Sequence, residues 1–250
     1  MTFQGKVAIV AGGGRGIGAA TAKLLATRGA SVVVNYLKNS ATASQVIAQI
    51  HENGGQAIAV QANIRDQQQA EALVQEARDA YGRIDILVNS SNPSGVFKPF
   101  AQMTWDEFAL GVNNELRAAF LLTKAVLPTM QQQHYGRIIY LASGLAKAPS
   151  VDGAISIGTA KAGLVAFAKY IAKEYGPSGV TANVVSPSMV ETELSAMIPA
   201  EHRQRLGAMT PLGRIAQPED IARVIAFFAS DDSGFMTGTY APVNGGLTME

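Results

Sequence analysis

Seven short apolar runs punctuate the chain. They are KVAIVA (6–11), SVVVNY (31–36), QAIAVQAN (56–63), IDILVNS (84–90), GRIIYLAS (136–143), VTANVVS (180–186) and TYAPV (239–243). Runs rich in Val and Ile that are apolar throughout, rather than alternating, read as strands covered on both faces. Longer stretches with helical periodicity lie between them, at 17–28, 41–53, 67–81, 105–133, 155–175 and 218–230. This alternation predicts a parallel sheet with helices on both faces. Right-handed crossovers then give an α/β, doubly wound (Rossmann) fold of about seven strands.

Glycines punctuate the predicted helix ends. Gly29 follows AKLLATR, Gly54 and Gly55 follow VIAQIHEN, and Gly82 follows VQEARDAY. A residue just past a helix often closes it in the left-handed conformation, which glycine adopts without strain. No Pro/Gly/Ser linker and no internal repeat divides the sequence, so one domain over 1–250 is expected.

Composition narrows the function classes. The chain has 250 residues, 48% hydrophobic and 16% charged, with a net charge of +1. That fits a filled globular core and no block of like charge, so neither a nucleic-acid nor a membrane surface is expected. The absence of cysteine excludes disulfides and thiolate chemistry. His51, His134 and His202 lack ligand spacing, so no metal is expected. The N-terminal apolar run is too short for a signal core, and no apolar stretch approaches the ~20 residues of a membrane span. A cytoplasmic protein acting on a small molecule is the expectation.

The first strand runs into AGGGRGIG (11–18), which opens the first helix. Gly12 permits the tight turn, Gly16 the close approach of a pyrophosphate, and Gly18 the packing of helix on sheet. The helix N-terminus then offers free N–H groups and a positive dipole to phosphates. The second strand ends in NYLKN, with Asn35 where an NAD site usually carries an acid for the ribose 2′-hydroxyl. Lys38 and Arg15 are placed to neutralise a 2′-phosphate instead. NADPH (NADP) is the expected cofactor.

With these motifs the chain resembles the short-chain dehydrogenase/reductase family over essentially its whole length. The glycine turn is one anchor. ILVNSSN (86–92) resembles the segment on the nicotinamide side of the site, and GRIIYLAS the strand ending in a catalytic serine, here Ser143. AKAGLVAFAKYIAKEYGPSGVTANVVSPSMVET (160–192) resembles the helix of the catalytic lysine, here Lys161, followed by a Pro-x-x-Val-x-Thr cofactor loop. PLGRIAQPEDIARVIAFFASDDSGFMTGTYAPVNGG (211–246) matches the C-terminal pattern.

The resemblance implies hydride transfer, with a tyrosine as acid, a lysine that lowers its pKa and holds the nicotinamide ribose, and a serine on the substrate oxygen. It also implies cofactor contacts at Gly12, Arg15, Gly16, Ile17 and Gly18. Further contacts fall at Asn35, Lys38, Asn63, Ile64 and Asn89, and then at Lys161, Pro187, Val190 and Thr192. A substrate lid is implied around 188–210, where Met189, Leu194, Met197, Ile198 and Met209 suggest a moderately apolar substrate. Helices 105–133 and 155–175 resemble those through which the family forms tetramers or dimers.

The catalytic set departs from that pattern. The tyrosine position, four before Lys161, holds Ile157. The asparagine position on the preceding helix holds Glu115. Ser143 and Lys161 are 18 apart, one more than in most of the family. The enoyl-reductase branch places its tyrosine seven before the lysine, and that position is Ala154; a second tyrosine position there is Gly144. The catalytic residues are therefore expected to be Ser143, Lys161 and Glu115, in a carbonyl or enoyl reductase with an altered proton-transfer site. The alternative is a non-redox enzyme or a silent NADPH-binding protein on the same fold. Tyr135, Tyr140 and Tyr240 remain as other phenols.

Overall fold

The computed structural model describes residues 1–91 and 95–249. Its first half runs β1 (Val7–Ala11), α1 (Gly16–Thr27), β2 (Ser31–Tyr36), α2 (Ser40–Glu52), β3 (Gln56–Gln61), α3 (Gln67–Tyr81) and β4 (Ile86–Asn89). Then come α4 (Trp105–Gln133), β5 (Gly136–Leu141), α5 (Ile155–Tyr175), β6 (Val180–Pro187), α6 (Ala200–Met209), α7 (Pro218–Ala229) and β7 (Tyr240–Val243). The strands form one sheet of order β3-β2-β1-β4-β5-β6-β7, parallel at every pairing. The chain order reverses between β1 and β4. That switch point leaves a crevice outside the carboxyl ends of the strands, where ligands of such sheets bind.

One face of the sheet packs under α3, α4 and α5, the other under α1, α2 and α7. Both faces are apolar because each strand must bury both rows of side chains, which explains the continuous runs of Val and Ile. Gly29, Gly54 and Gly82 all hold positive φ just past α1, α2 and α3. Two strands end two residues earlier than their apolar runs. β3 stops at Gln61, which leaves Asn63 and Ile64 in the turn to α3. β5 stops at Leu141, because the Ser143 hydroxyl accepts from the Leu145 N–H at 3.4 Å and opens a single 3-10 turn.

α5 departs from one expectation. Ile155–Ser178 is long and apolar enough, by length and composition, to cross a membrane. Lysines interrupt its apolar run while its average hydropathy stays high. Half of that window is buried in the fold, against α4 and the sheet.

The loop before α4 is tied at both ends of the later site. A capping box between Thr104 and Glu107 starts α4, and Lys98 pairs with Glu107 at 2.9 Å. The Lys98 N–H donates to the Gly153 carbonyl at 3.0 Å, just ahead of α5. Leu122 of α4 is fully buried in the cluster beneath α3, α4 and α5. Leu122→Ala is expected to cost about 2–5 kcal/mol, read as a lower urea midpoint with an unchanged slope.

Candidate active site

The glycine turn is shaped by close contacts. Gly12 has φ 72°, and a Cβ on it would lie 3.0 Å from the Ser90 carbonyl oxygen after β4. A Cβ on Gly18 would run into the Gly12 carbonyl and come 2.7 Å from Ser90 Oγ. Ser90 is fixed in turn, donating from N and Oγ to the carbonyl of Ala11. Gly16 has φ 52° and faces the Thr192 methyl. The first turn of α1 carries no acidic residue, and Ile17 is half-buried behind it. Its N–H groups and dipole are therefore free to meet an anion. Arg15 is exposed at the start of this helix, and Lys38 is exposed past β2.

Asn35 has partners within the fold. Its carbonyl accepts from Gly13 N–H at 3.0 Å, and its buried amide donates to the carbonyls of Val60 and Ala62. It ties the glycine turn to β3. Asn63 uses its side-chain oxygen to accept from Arg65 N–H, and Ile64 is buried beneath. On the nicotinamide side, Asn89 accepts from Ser91 Oγ at 2.9 Å, while its buried Nδ2 has no partner among the described residues. Asn92, the end of that motif, lies outside the described residues. Pro187 and Val190 are buried, Val190 pairing with Ala216, and Thr192 N–H donates to Ser195 Oγ. A cavity of about 300 Å³ opens beside the turn, lined by Arg15, Gly16 and Thr192 with residues of α1 and α2. These features fit a dinucleotide: a cradle that a Cβ would fill, an uncompensated helix terminus and an orphaned amide.

Around Lys161 the structure brings the predicted catalytic residues together. The Lys161 and Glu115 side chains are each 3% exposed. Lys161 Nζ donates to Glu115 Oε1 and to the Leu141 carbonyl, both at 2.7 Å. Leu141 lies two residues before Ser143, so the ammonium and the serine hydroxyl share the carboxyl end of β5. Glu115 is thus the counter-ion of Lys161. Its Oε2 is buried without a partner among the described residues. α4 is braced here by Arg65, whose Nε donates to the Asn114 carbonyl at 3.2 Å.

Ile157, at the position where the sequence resemblance implies a phenol, is buried. Gly95 of the loop after β4 sits against it: a Cβ there would come 2.6 Å from Ile157 Cγ1. The three other candidate phenols are occupied. Tyr140 OH bonds Thr123 Oγ1 at 2.7 Å in the core, and burial pushes its pKa up. Tyr135 OH donates to Asp231, with its pKa raised by burial, and Tyr240 OH bonds Ser186 Oγ. Sequence reading missed Gly95, Gly111 and Ser156. A small residue inside a helix or loop gives no signal until its neighbours are known.

Fold and cleft fit a dinucleotide-binding protein, and comparison with known proteins narrows the class. A family pattern described as Enoyl-(Acyl carrier protein) reductase matches residues 11–248. The 3-oxoacyl-(acyl-carrier-protein) reductase of Synechocystis sp. is 38% identical over 98% of this chain and 97% of its own length. The 3-oxoacyl-(acyl-carrier-protein) reductase FabG of Escherichia coli is 34% identical over the full length of both. Among solved structures, a doubly substituted short-chain dehydrogenase/reductase of Serratia marcescens superposes with TM-score 0.92 at 30% identity, covering both chains fully. Levodione reductase gives TM-score 0.91 at 29% identity over 98% of each chain. The chain belongs to the short-chain dehydrogenase/reductase family.

Two substitutions test the geometry. Gly18→Ala is expected to weaken dinucleotide binding at least about tenfold by calorimetry, because the turn must move to admit a methyl group. Tyr140→Phe is expected to cost about 1–3 kcal/mol by leaving Thr123 unpaired, with kcat retained, since this phenol is in the core.

Proposed function

We propose that the protein is an NADPH-dependent reductase of carbonyl substrates, with 3-oxoacyl thioesters the first class to test. The observation that carries this reading is the buried Lys161, held at the carboxyl end of β5 beside Ser143. The relatives' names support the substrate class. Arg15 and Lys38, with no acid at the end of β2, support NADPH over NADH.

Bound NADPH supplies the hydride. The chain's own residues do the rest. The glycine turn and the first turn of α1 hold the pyrophosphate, and Asn89, Pro187, Val190 and Thr192 flank the nicotinamide. The Ser143 hydroxyl donates to the substrate oxygen. The Lys161 ammonium is the proton-bearing cation behind it, so proton delivery runs through Lys161 and Glu115 rather than through a phenol. Residues 188–210 act as a lid on the single dinucleotide-binding unit 1–250. Leu194, Met197 and Met209 are exposed there, which suits a moderately apolar substrate. The exposed Phe120 of α4 and Tyr170 of α5 suit association of the two long helices into a homodimer or homotetramer.

A second reading rests on Ile157 and Gly95. They close the space a phenol would use, which favours a non-redox or silent dinucleotide-binding protein. NADPH consumption by purified protein with ketones, enones and 3-oxoacyl thioesters separates the two. Turnover abolished by Lys161→Ala is expected. Binding of NADPH without turnover on any of these substrates would favour the second reading.

Cofactor preference is tested separately. Lys38→Ala is expected to weaken NADPH binding about tenfold or more and to leave NADH unchanged, because only the 2′-phosphate meets that cation. Equal losses for both cofactors would show that Lys38 does not read the 2′-phosphate.

A further inference from the structure

A second cavity, of about 460 Å³, lies between α6 and residues 213–215 ahead of α7. α6 turns one face to it, since Ala200, Arg203, Gln204, Gly207 and Ala208 recur three and four residues apart. Gly213, Arg214 and Ile215 line the opposite side. The small side chains leave room, and Arg203 brings a charge to it. A guanidinium is a planar fork of N–H donors with no acceptor. The Nε of Arg203 is buried without a partner among the described residues, and its Nη1 comes only within 3.9 Å of Glu191 Oε1. That separation is too long for a hydrogen bond. Glu191 is held elsewhere: its Oε2 accepts from Gln217 Nε2 at 2.6 Å, and its N–H donates to the Ala216 carbonyl at 2.8 Å. Arg214, the other cation of the cavity, is already satisfied by the Asp220 carboxylate at 2.6 and 3.1 Å. Arg203 is therefore the cation with donors left to give. A buried N–H without an acceptor costs free energy, so a ligand that accepts from it is favoured.

We propose that this cavity binds a small carboxylate with a short apolar body, its oxygens on the Arg203 guanidinium. The fork of N–H groups matches the two oxygens of a carboxylate. Gln204 adds an amide on the same face, and Ala200, Ala208 and Ile215 give the apolar body a wall. The size lies within the range of small-molecule sites. Glu191 limits the charge. A dianion such as phosphate would set a second negative charge near that carboxylate, whereas a monoanion meets Arg203 with less repulsion. The site is separate from the cavity beside the glycine turn: of the described residues that line the two, Glu191 alone is common to both. A bound carboxylate would tie α6 to residues 213–215 and touch nothing at Lys161, so the inference does not depend on the reductase reading.

The test is calorimetry of hexanoate with the full-length protein. Saturable binding with a Kd of about 1 mM or tighter is expected, and a melting temperature that rises with hexanoate concentration. Hexanol, which lacks the charge, and inorganic phosphate, which lacks the apolar body, are each expected to bind at least about tenfold more weakly. Saturating NADPH is expected to leave hexanoate bound. Arg203→Gln is expected to weaken hexanoate at least about tenfold, and Arg203→Lys is expected not to restore it, because a point charge does not replace the fork. No saturation up to about 10 mM hexanoate overturns the site, and so does hexanol binding as tightly as hexanoate. Hexanoate displaced by NADPH would sit in the dinucleotide cavity, and an unchanged Kd in Arg203→Gln would put it elsewhere on the protein; either result overturns the assignment. Phosphate binding more tightly than hexanoate overturns the ligand class. The wild-type arms with hexanol and NADPH decide the matter even if the Arg203 variants do not fold, and none of the readouts requires turnover.

Discussion

The Lys161–Glu115 pair is the constraint around which the cleft is organised. Two opposite charges are sealed between α4 and α5, and the Leu141 carbonyl takes another of the ammonium's hydrogens. Desolvating two ions costs several kcal/mol each, and their attraction offsets this only when the geometry is good. Such a pair is a poor device for stability, since apolar side chains of similar volume do as well. Its position explains it better. It fixes the ammonium at the carboxyl end of β5, beside Ser143, at the edge of the crevice made by the switch of strand order.

The same pair changes the electrostatics of the site. Lys161 faces the Glu115 carboxylate across the seam of α4 and α5, and Tyr135, Tyr140 and Tyr240 are each engaged elsewhere. Ile157 is buried against Gly95 of the loop after β4, where a Cβ on the glycine would come 2.6 Å from Ile157 Cγ1. Positions 115 and 157 lie on the neighbouring helices α4 and α5, beside the loop that Lys98 pins. Replacing Ile157 by Tyr alone leaves both Gly95 and the ion pair in place.

Much of the fold was legible in the sequence. The strands β2 and β6 and the helices α3, α4 and α5 lie almost where the apolar runs and periodicity put them, because every face of a parallel sheet must be covered. The glycine turn was legible for a similar reason, since Gly12, Gly16 and Gly18 each answer to a local steric demand. The partners of Asn35 were not, since its amide satisfies carbonyls of a strand distant in sequence. Glu115 was singled out as a proton donor, and the structure gives it a partner 46 residues away. Gly95 and Gly111 carried no signal, because a close approach between two elements is a property of both together.

The most direct measurement is a double-mutant cycle on the pair, with Glu115→Gln, Lys161→Met and both together, read by denaturant unfolding. A buried charge left without its partner costs about 3–5 kcal/mol, so each single variant should lose that much, and the double variant far less than their sum. Additive losses would mean that the two side chains do not hold each other in solution, and the centre of the site would have to be redrawn.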